Sequence, residues 1–308
     1  MKILLLTDKQ NWAYHSIAKS LIKYNTDDDV SIDTLHIKTE KTTIKKKWKK
    51  YDKVLVMGWQ NYPSVKFIPK KHCLTGIHSH HSWDDRKTSP EKDVTPSKEL
   101  LDNLSGFAGV NAVSNRLYDL FSSNGLENLC YTPNGVDHKV FKCKSNEPSD
   151  KFSIGYSGSK NHDWRKGVSK FIIPSATKAK VATRLAMLST SDHIPLDKMP
   201  GFYQSIDCYV CASSSEGFSL SVLEAASCGI PIITTAVGGM SELIDDGRNG
   251  FVVNRDVGDI ADKIIELKND IDLYRSISKN IRSDIENKWS WEYRAADWIK
   301  FITMRSKG

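Results

Sequence analysis

The stretch that decides the fold is Ser213–Ile244, SSSEGFSLSVLEAASCGIPIITTAVGGMSELI. It follows one strand-like apolar run, Ile206–Ala212, and contains a second, Pro231–Thr235. Between them Ser219–Ser227 reads as a helix, with Ser219 and Ser221 at its start, where hydroxyls cap free amides. A strand, a helix and a strand in so short a span imply parallel strands joined by a crossover. Glu216 falls in the loop after the first strand, and Gly217 beside it permits close backbone approach. Glu224 lies on the first turns of the helix. The amides of residues 217–221 form a helix N-terminus that suits a diphosphate. A carboxylate in the loop and another on the helix can bracket one polyhydroxylated ligand, because each accepts hydrogen bonds at both oxygens. Taken alone, the same pair also reads as a cap and a solvated helix residue.

The alternation continues on both sides. Upstream, strand-like runs at Lys2–Leu6, Val30–Leu35, Tyr51–Met57, Cys73–Ile77 and Phe107–Val113 are separated by helical periodicity at Trp12–Tyr24 and, after the last, Asn115–Ser123. A polar stretch, Lys144–Lys151, reads as a linker, and the pattern restarts with a strand at Phe152–Tyr156. Downstream come a short helix at Met240–Asp245, a strand at Gly250–Val253 and a long amphipathic helix from Gly258. The expectation is α/β: two doubly wound, Rossmann-like domains of 1–146 and 147–288. A terminal helix, 289–308, carrying Trp291, Trp298 and Phe301, would pack back on the first domain. Ligands of such sheets bind beyond the carboxyl ends of the strands, here in the cleft between the domains.

Composition narrows the class. A chain of 308 residues with 26% charged and 39% hydrophobic residues is globular, and no apolar run approaches the ~20 residues that span a bilayer. The apolar start, Ile3–Leu6, is too short for a signal peptide and suits a buried strand. The six cysteines are scattered and read as free thiols of a reducing compartment; Cys208 and Cys211 fall in one strand at an odd offset, on opposite faces. A cytoplasmic location follows, with the membrane surface as one setting. Residues 1–150 hold 23 Lys/Arg against 18 Asp/Glu, and the densest run is Lys45, Lys46, Lys47, Lys49, Lys50 and Lys53. It reads as a solvated helix face or as an attractor for an anionic acceptor, lipid surface or DNA. Asp27-Asp28-Asp29 sits in a polar turn after a helix and reads as solvated.

Glu216 and Glu224 are followed by Ala225, Gly229, Pro231, Thr235, Gly238 and Gly239. In that order and spacing they resemble the donor-site motif of the retaining family 4 glycosyltransferases of GT-B fold. Further matches are Glu242-Leu243-Ile244, Gly247 and Gly250-Phe251-Val252-Val253, Pro133-Asn134-Gly135-Val136-Asp137 with Phe141, Ala112-Val113-Ser114, and Lys166-Gly167. The resemblance is dense from about residue 107 to 255. It implies a GT-B architecture, with two Rossmann-like domains facing across a cleft. It implies that Glu216 contacts donor-sugar hydroxyls, Glu224 the ribose, and Gly217, Phe218, Ser219 and Leu220 the sugar and phosphates. Lys166, with Arg165 beside it, would neutralise the diphosphate leaving group. By strand position His78 would lie near the reacting carbon.

The sequence departs from that family's pattern in places. Asp8-Lys9-Gln10-Asn11-Trp12 stands where a Gly-Gly loop is usual, which makes Asn11 and Trp12 candidates for acceptor contact. Ser157-Gly158-Ser159-Lys160 stands where Gly-Arg is usual, with Lys160 in the arginine's place. The stretch 168–205 is short, which suggests that the strand before the base-binding loop is abbreviated. His78, His80 and His81 with Asp84 and Asp85 could hold a metal, but the resemblance implies a metal-independent enzyme, with no cofactor. His80 and Asp84 would instead meet acceptor. The function expected is transfer of a sugar from a nucleoside-diphosphate-sugar, UDP-linked, to a hydroxyl of a glycan or lipid-linked acceptor. The alternatives are transfer to hydroxymethylated bases in DNA, a nucleotide-sugar epimerase, and a non-catalytic binding module.

Overall fold

The structure is a computed structural model that describes residues 1–79, 94–143, 145–188 and 190–304. The chain divides into two compact units. Of the described residues, one comprises 1–79, 94–135 and 291–304; the other comprises 136–143, 145–188 and 190–290.

The first unit runs β1 (Lys2–Thr7), α1 (Ala13–Lys23), β2 (Ser31–His36), α2 (Ile37–Lys47), β3 (Lys53–Val56), β4 (Cys73–Ile77), α3 (Lys98–Ser105), β5 (Gly109–Ala112), α4 (Asn115–Ser122) and β6 (Leu129–Tyr131). The second runs β7 (Ser153–Ser159), α5 (Asp163–Lys166), α6 (Ile173–Lys178), β8 (Ala182–Leu188), α7 (Met199–Tyr203), β9 (Cys208–Cys211), α8 (Leu220–Ser227), β10 (Ile232–Thr235), α9 (Met240–Leu243), β11 (Phe251–Val253), α10 (Val257–Asn269) and α11 (Ile271–Asp284). The chain then returns to the first unit as α12 (Trp291–Thr303).

Both sheets are parallel, in the orders β2-β1-β3-β4-β5-β6 and β11-β10-β9-β7-β8. This is the expected α/β class, with one doubly wound sheet in each unit. The central strands are buried on both faces, as Ile3–Leu6 and Val54–Val56 are, which is why they read as unbroken apolar runs. In the first sheet the order reverses at β1, which pairs β2 on one side and β3 on the other. In the second it reverses at β7, which pairs β8 and β9. Loops leaving the carboxyl ends at such a point diverge and leave room for a ligand.

α12 is held in the first unit by Trp298, fully buried, whose Nε1 donates to Pro133 O at 2.9 Å, and by Lys53 Nζ, which donates to Met304 O. Gly135 fits beneath it because a Cβ there would meet the Trp291 backbone at 2.9 Å.

Two expectations are corrected. The strand before the base-binding loop is not abbreviated: β8 has seven residues and pairs with β7 along its full length. Its sequence, ATRLAML, is rich in helix formers, and pairing at the sheet edge overrides that local preference. β7 in turn extends to Ser159, so Ser157 and Gly158, read as loop, belong to the strand. No helix of the described residues is long and apolar enough to cross a membrane.

Candidate functional site

The switch point of the second sheet gathers the charged residues singled out from sequence. α5 follows β7 and delivers Arg165 and Lys166; the loop after β9 delivers Ser213–Glu216. Lys166 Nζ donates to Glu216 Oε1, and Ser213 Oγ donates to the same oxygen at 2.7 Å. Arg165 Nη1 lies 3.8 Å from Glu216 Oε2 and donates to Ser215 O at 2.9 Å. All three charged side chains are largely buried, with side-chain exposures of 11% for Arg165, 14% for Lys166 and 9% for Glu216. Burial alone would push the Glu216 carboxyl up. The charges of Lys166 and Arg165, with the hydrogen bonds from Lys166 and Ser213, more than reverse this, and its pKa lies below the ordinary glutamate value. Two cations against one carboxylate leave a net positive charge at the carboxyl end of β7 and β9.

Two devices hold this loop in place. Gly167 turns the chain out of α5 at φ +70°, and a side chain there would meet Phe171 at 2.7 Å and Ala212 O at 3.0 Å. Arg255, just past β11, then staples the two loops, donating from Nε to Ala212 O at 2.9 Å and from Nη2 to Arg165 O at 3.0 Å. Its guanidinium carbon lies 4.6 Å from the Phe171 ring centre. Arg255 was not singled out from sequence; a lone arginine after a strand gives no local sign that it bridges two distant loops.

The glycine pair of the motif has a steric reason. Gly238, at φ +53°, lies against the backbone carbonyls of Glu216 and Gly217, and Gly239 lies against the Phe218 ring, so a Cβ at either would collide. Gly239 N–H donates to Gly217 O at 2.8 Å. The Glu216–Phe218 backbone is therefore clamped from the β10 side. Thr235 Oγ1 adds a hydrogen bond of 2.5 Å to Ser213 O. Phe218 is buried and packs on Trp289, ring centres 5.0 Å apart.

Ser219 is the residue before α8, but its side chain does not cap the helix. Its hydroxyl lies 3.1 Å from Ser221 Oγ instead, which corrects the capping role read for the two serines. Leu220 opens the helix and is half-buried. Glu224, one turn further on, is half-buried and takes a 2.7 Å hydrogen bond at Oε2 from Tyr203 Oη. Burial dominates there: it pushes the carboxyl up to about 7, against the lowering effect of the Tyr203 hydrogen bond. The motif's two carboxylates are thus opposite in character, one held ionised by cations and the other poised near neutrality. Lys160 is exposed where β7 ends.

In the first unit His78 follows β4. Its ring meets Tyr14 edge-on at 4.9 Å and lies 6.1 Å from Trp298. Its Nε2 is buried and, like Asn111 Oδ1, has no hydrogen-bond partner among the described residues. Gly76 makes room for both atoms, since a Cβ there would run into Asn111 Oδ1 and His78 Nε2. Burial lowers the His78 pKa to about 3, so the ring is neutral. Asn11 stands at φ +60°, and its N–H donates to His15 Nδ1 at 2.9 Å. Trp12 is 48% exposed, with Lys9 Nζ 3.3 Å above its ring. His15, buried on α1, packs edge-on against His36 at 4.7 Å and sets this loop; sequence reading passed it over. His80 and Asp84 lie outside the described residues.

Residues 176–284 match the family model of the glycosyl transferases group 1. That stretch is a group 1 glycosyltransferase segment. It contains Glu216, Glu224 and the glycine pair. The capsular polysaccharide biosynthesis glycosyltransferase CapM of Staphylococcus aureus is 30% identical over 212 residues, covering 59% of this chain and 54% of CapM. The D-inositol 3-phosphate glycosyltransferase of Paenarthrobacter aurescens is 34% identical over 100 residues, 32% of this chain and 24% of that protein. The chain therefore spans about half or less of the length of these relatives. Among solved structures, Anabaena HepE, determined in complex with UDP and glucose, superposes with a TM-score of 0.72 at 17% identity, covering 99% of this chain and 100% of HepE. At that identity the likeness speaks for the GT-B fold alone.

Proposed function

We propose that this protein is a retaining glycosyltransferase that moves a sugar from a nucleoside-diphosphate-sugar, UDP-linked, to a hydroxyl of a glycan or lipid-linked acceptor. The observation that carries the reading is the Glu216–Lys166–Arg165 cluster at the β7/β9 switch point, inside a segment of group 1 sequence. Breaking the glycosidic bond places negative charge on the β-phosphate, and a preorganised, half-desolvated cation stabilises it most where water is excluded. Lys166 is that cation, with Arg165 supporting it. Glu216 takes donor-sugar hydroxyls, the backbone of Gly217, Phe218, Ser219 and Leu220 meets sugar and phosphates, Glu224 takes the ribose, and Lys160 adds charge beside the phosphates.

The role of Lys166 also fits a reaction on one face of the sugar. The leaving diphosphate accepts the proton of the attacking acceptor hydroxyl as its bond to the anomeric carbon breaks. No enzyme carboxylate need attack, and no metal or other cofactor is needed for the charge that Lys166 supplies. Neutral His78 donates or accepts one hydrogen bond near the reacting carbon, and Asn11, Trp12, His80 and Asp84 serve the acceptor. A cytoplasmic site of action, at the membrane surface for a lipid-linked acceptor, suits this chemistry.

A second reading, transfer to hydroxymethylated DNA bases, rests on one feature. α2 and the following turn expose Lys45, Lys46, Lys47, Lys49 and Lys50, and the Trp48–His72 ring contact at 6.0 Å brings Lys71 to the same surface. The test is a panel of nucleotide-sugars assayed for release of nucleoside diphosphate, with glycan, lipid-linked and hydroxymethylated duplex DNA acceptors. Release with a glycan or lipid acceptor supports the first reading, and release only with DNA supports the second. No release and no nucleotide-sugar binding would overturn both.

A further inference from the structure

The one side-chain hydrogen bond on Glu224 opens into a buried polar chain. Tyr203, the last residue of α7, is fully buried, and its Oη donates to Glu224 Oε2 at 2.7 Å. A phenol carries one proton, so the 2.9 Å contact between Tyr203 Oη and Ser157 Oγ must have the serine as donor. Ser157 N–H donates to Tyr209 Oη at 3.2 Å, and Tyr209 Oη donates to Ser221 Oγ at 2.9 Å. Ser221 Oγ lies 3.1 Å from Ser219 Oγ. Hydroxyls from β7, α7 and β9 thus tie the Glu224 carboxylate to the first turn of α8.

The chain of bonds occupies only one oxygen of Glu224: Oε1 has no hydrogen bond among the described residues. A glutamate free on a helix surface samples many rotamers, and fixing it costs side-chain entropy. Here that cost is met on folding, because Tyr203 is itself locked by packing and by Ser157. We infer that Tyr203 is a positioning residue, which orients Glu224 so that Oε1 accepts from the 2′-hydroxyl of the nucleotide's ribose and thereby selects ribonucleotides over 2′-deoxyribonucleotides. The inference rests on the proposed nucleotide site. The selection follows because a 2′-deoxyribose cannot supply that donor to Oε1, and a half-buried carboxylate oxygen loses by the absence.

The test is direct binding of UDP, dUDP, GDP, dGDP, ADP and dADP to the wild type, Tyr203→Phe and Ser157→Ala, measured by calorimetry. Phenylalanine fills the same space, and Ser157→Ala disturbs the chain one step away should Tyr203→Phe fold poorly. For whichever base binds, the wild type should prefer the ribose form by about tenfold, the worth of one hydrogen bond to a charged group. Tyr203→Phe should bring that preference to within about twofold by weakening the ribose form alone. The pH midpoint of ribonucleotide binding should move upward, because the lost hydrogen bond favours the ionised carboxyl. Ser157→Ala should fall between. A variant that weakens both sugar forms equally, or keeps the wild-type ratio, overturns the inference while leaving the nucleotide site standing. If no nucleoside diphosphate binds the wild type, the site itself is refuted and the inference with it.

Discussion

Lys166 and Glu216, fifty positions apart in the chain, form an ion pair through Nζ and Oε1 in which both side chains are largely buried. Neither charge is tolerable there alone, and this changes how the site should be probed. Glu216→Ala would leave Lys166 and Arg165 without their carboxylate and cost about 3 kcal/mol or more of stability. Glu216→Gln removes the charge as well, but it keeps the shape and an amide oxygen that can still accept from Lys166 and Ser213, so the cations are not left without an acceptor. It should retain fold and nucleotide binding while lowering kcat/KM at least about 100-fold, the usual loss when one electrostatic contact to the reacting centre is removed. Steady-state kinetics with chemical unfolding on the same preparations separates the two effects. Activity within a few fold of wild type would remove Glu216 from the site.

The same pair predicts an acid limit. The folded pKa of Glu216 is depressed. Its contribution to stability is therefore fully present above the ordinary unfolded value, about 4.3, and is lost as the pH falls below that toward the folded value. Urea midpoints of the wild type should drop across that range, and Glu216→Gln should show a shallower drop.

Glu224 predicts the opposite slope. Its folded pKa, about 7, lies above the unfolded value. The stabilising contribution is present below about pH 4.3 and is lost as the pH rises to about 7. Glu224→Gln should flatten the stability profile between those limits, as seen by thermal unfolding at half-unit pH steps. An unchanged slope would show that the group titrates as an ordinary glutamate.

How much of this was legible in the sequence depends on where each signal resides. The Ser213–Ile244 run could be read because strand, loop, helix and strand follow one another without interruption. The limits of β4 matched its apolar run, Cys73–Ile77, for the same reason. β8 could not be read, because ATRLAML has the composition of a helix and becomes a strand only by pairing with β7. The Tyr203–Ser157–Tyr209 chain joins three elements through the interior, and no spacing along the sequence reports it. Arg255 is hidden in the same way. Ser219 looked like a cap because serine before a helix usually is one, but here its hydroxyl is turned toward Ser221.

The lysines on α2 predict a salt-sensitive surface interaction. Lys45, Lys46 and Lys47 are exposed and form no ion pair among the described residues. If the acceptor is lipid-linked, the protein should be retained on vesicles containing anionic phospholipid. Replacing the three by glutamate should abolish retention, since each lysine near such a surface contributes about 1 kcal/mol. Retention should also fall with added salt. Tighter binding to duplex DNA than to vesicles, with the steep salt dependence of counterion release, would favour the DNA reading instead.

The clearest separation of steric from conformational cause lies in the glycines. Gly238 and Gly247 both have positive φ, at +53° and +76°, so alanine is strained at either. At Gly247 a Cβ meets nothing within 4 Å, whereas at Gly238 it collides with the carbonyls of Glu216 and Gly217. Gly247→Ala should therefore cost only the conformational term, about 1–2 kcal/mol, and leave turnover intact. Gly238→Ala carries the same term plus displacement of the Glu216 loop. It should cost at least about 2 kcal/mol more than Gly247→Ala and should lower kcat even at temperatures where the variant is fully folded, because a displacement of about 1 Å at a reacting centre can cost 100-fold. Equal effects of the two substitutions on stability and turnover would mean that the glycine pair serves the turn alone and does not clamp the loop that carries Glu216.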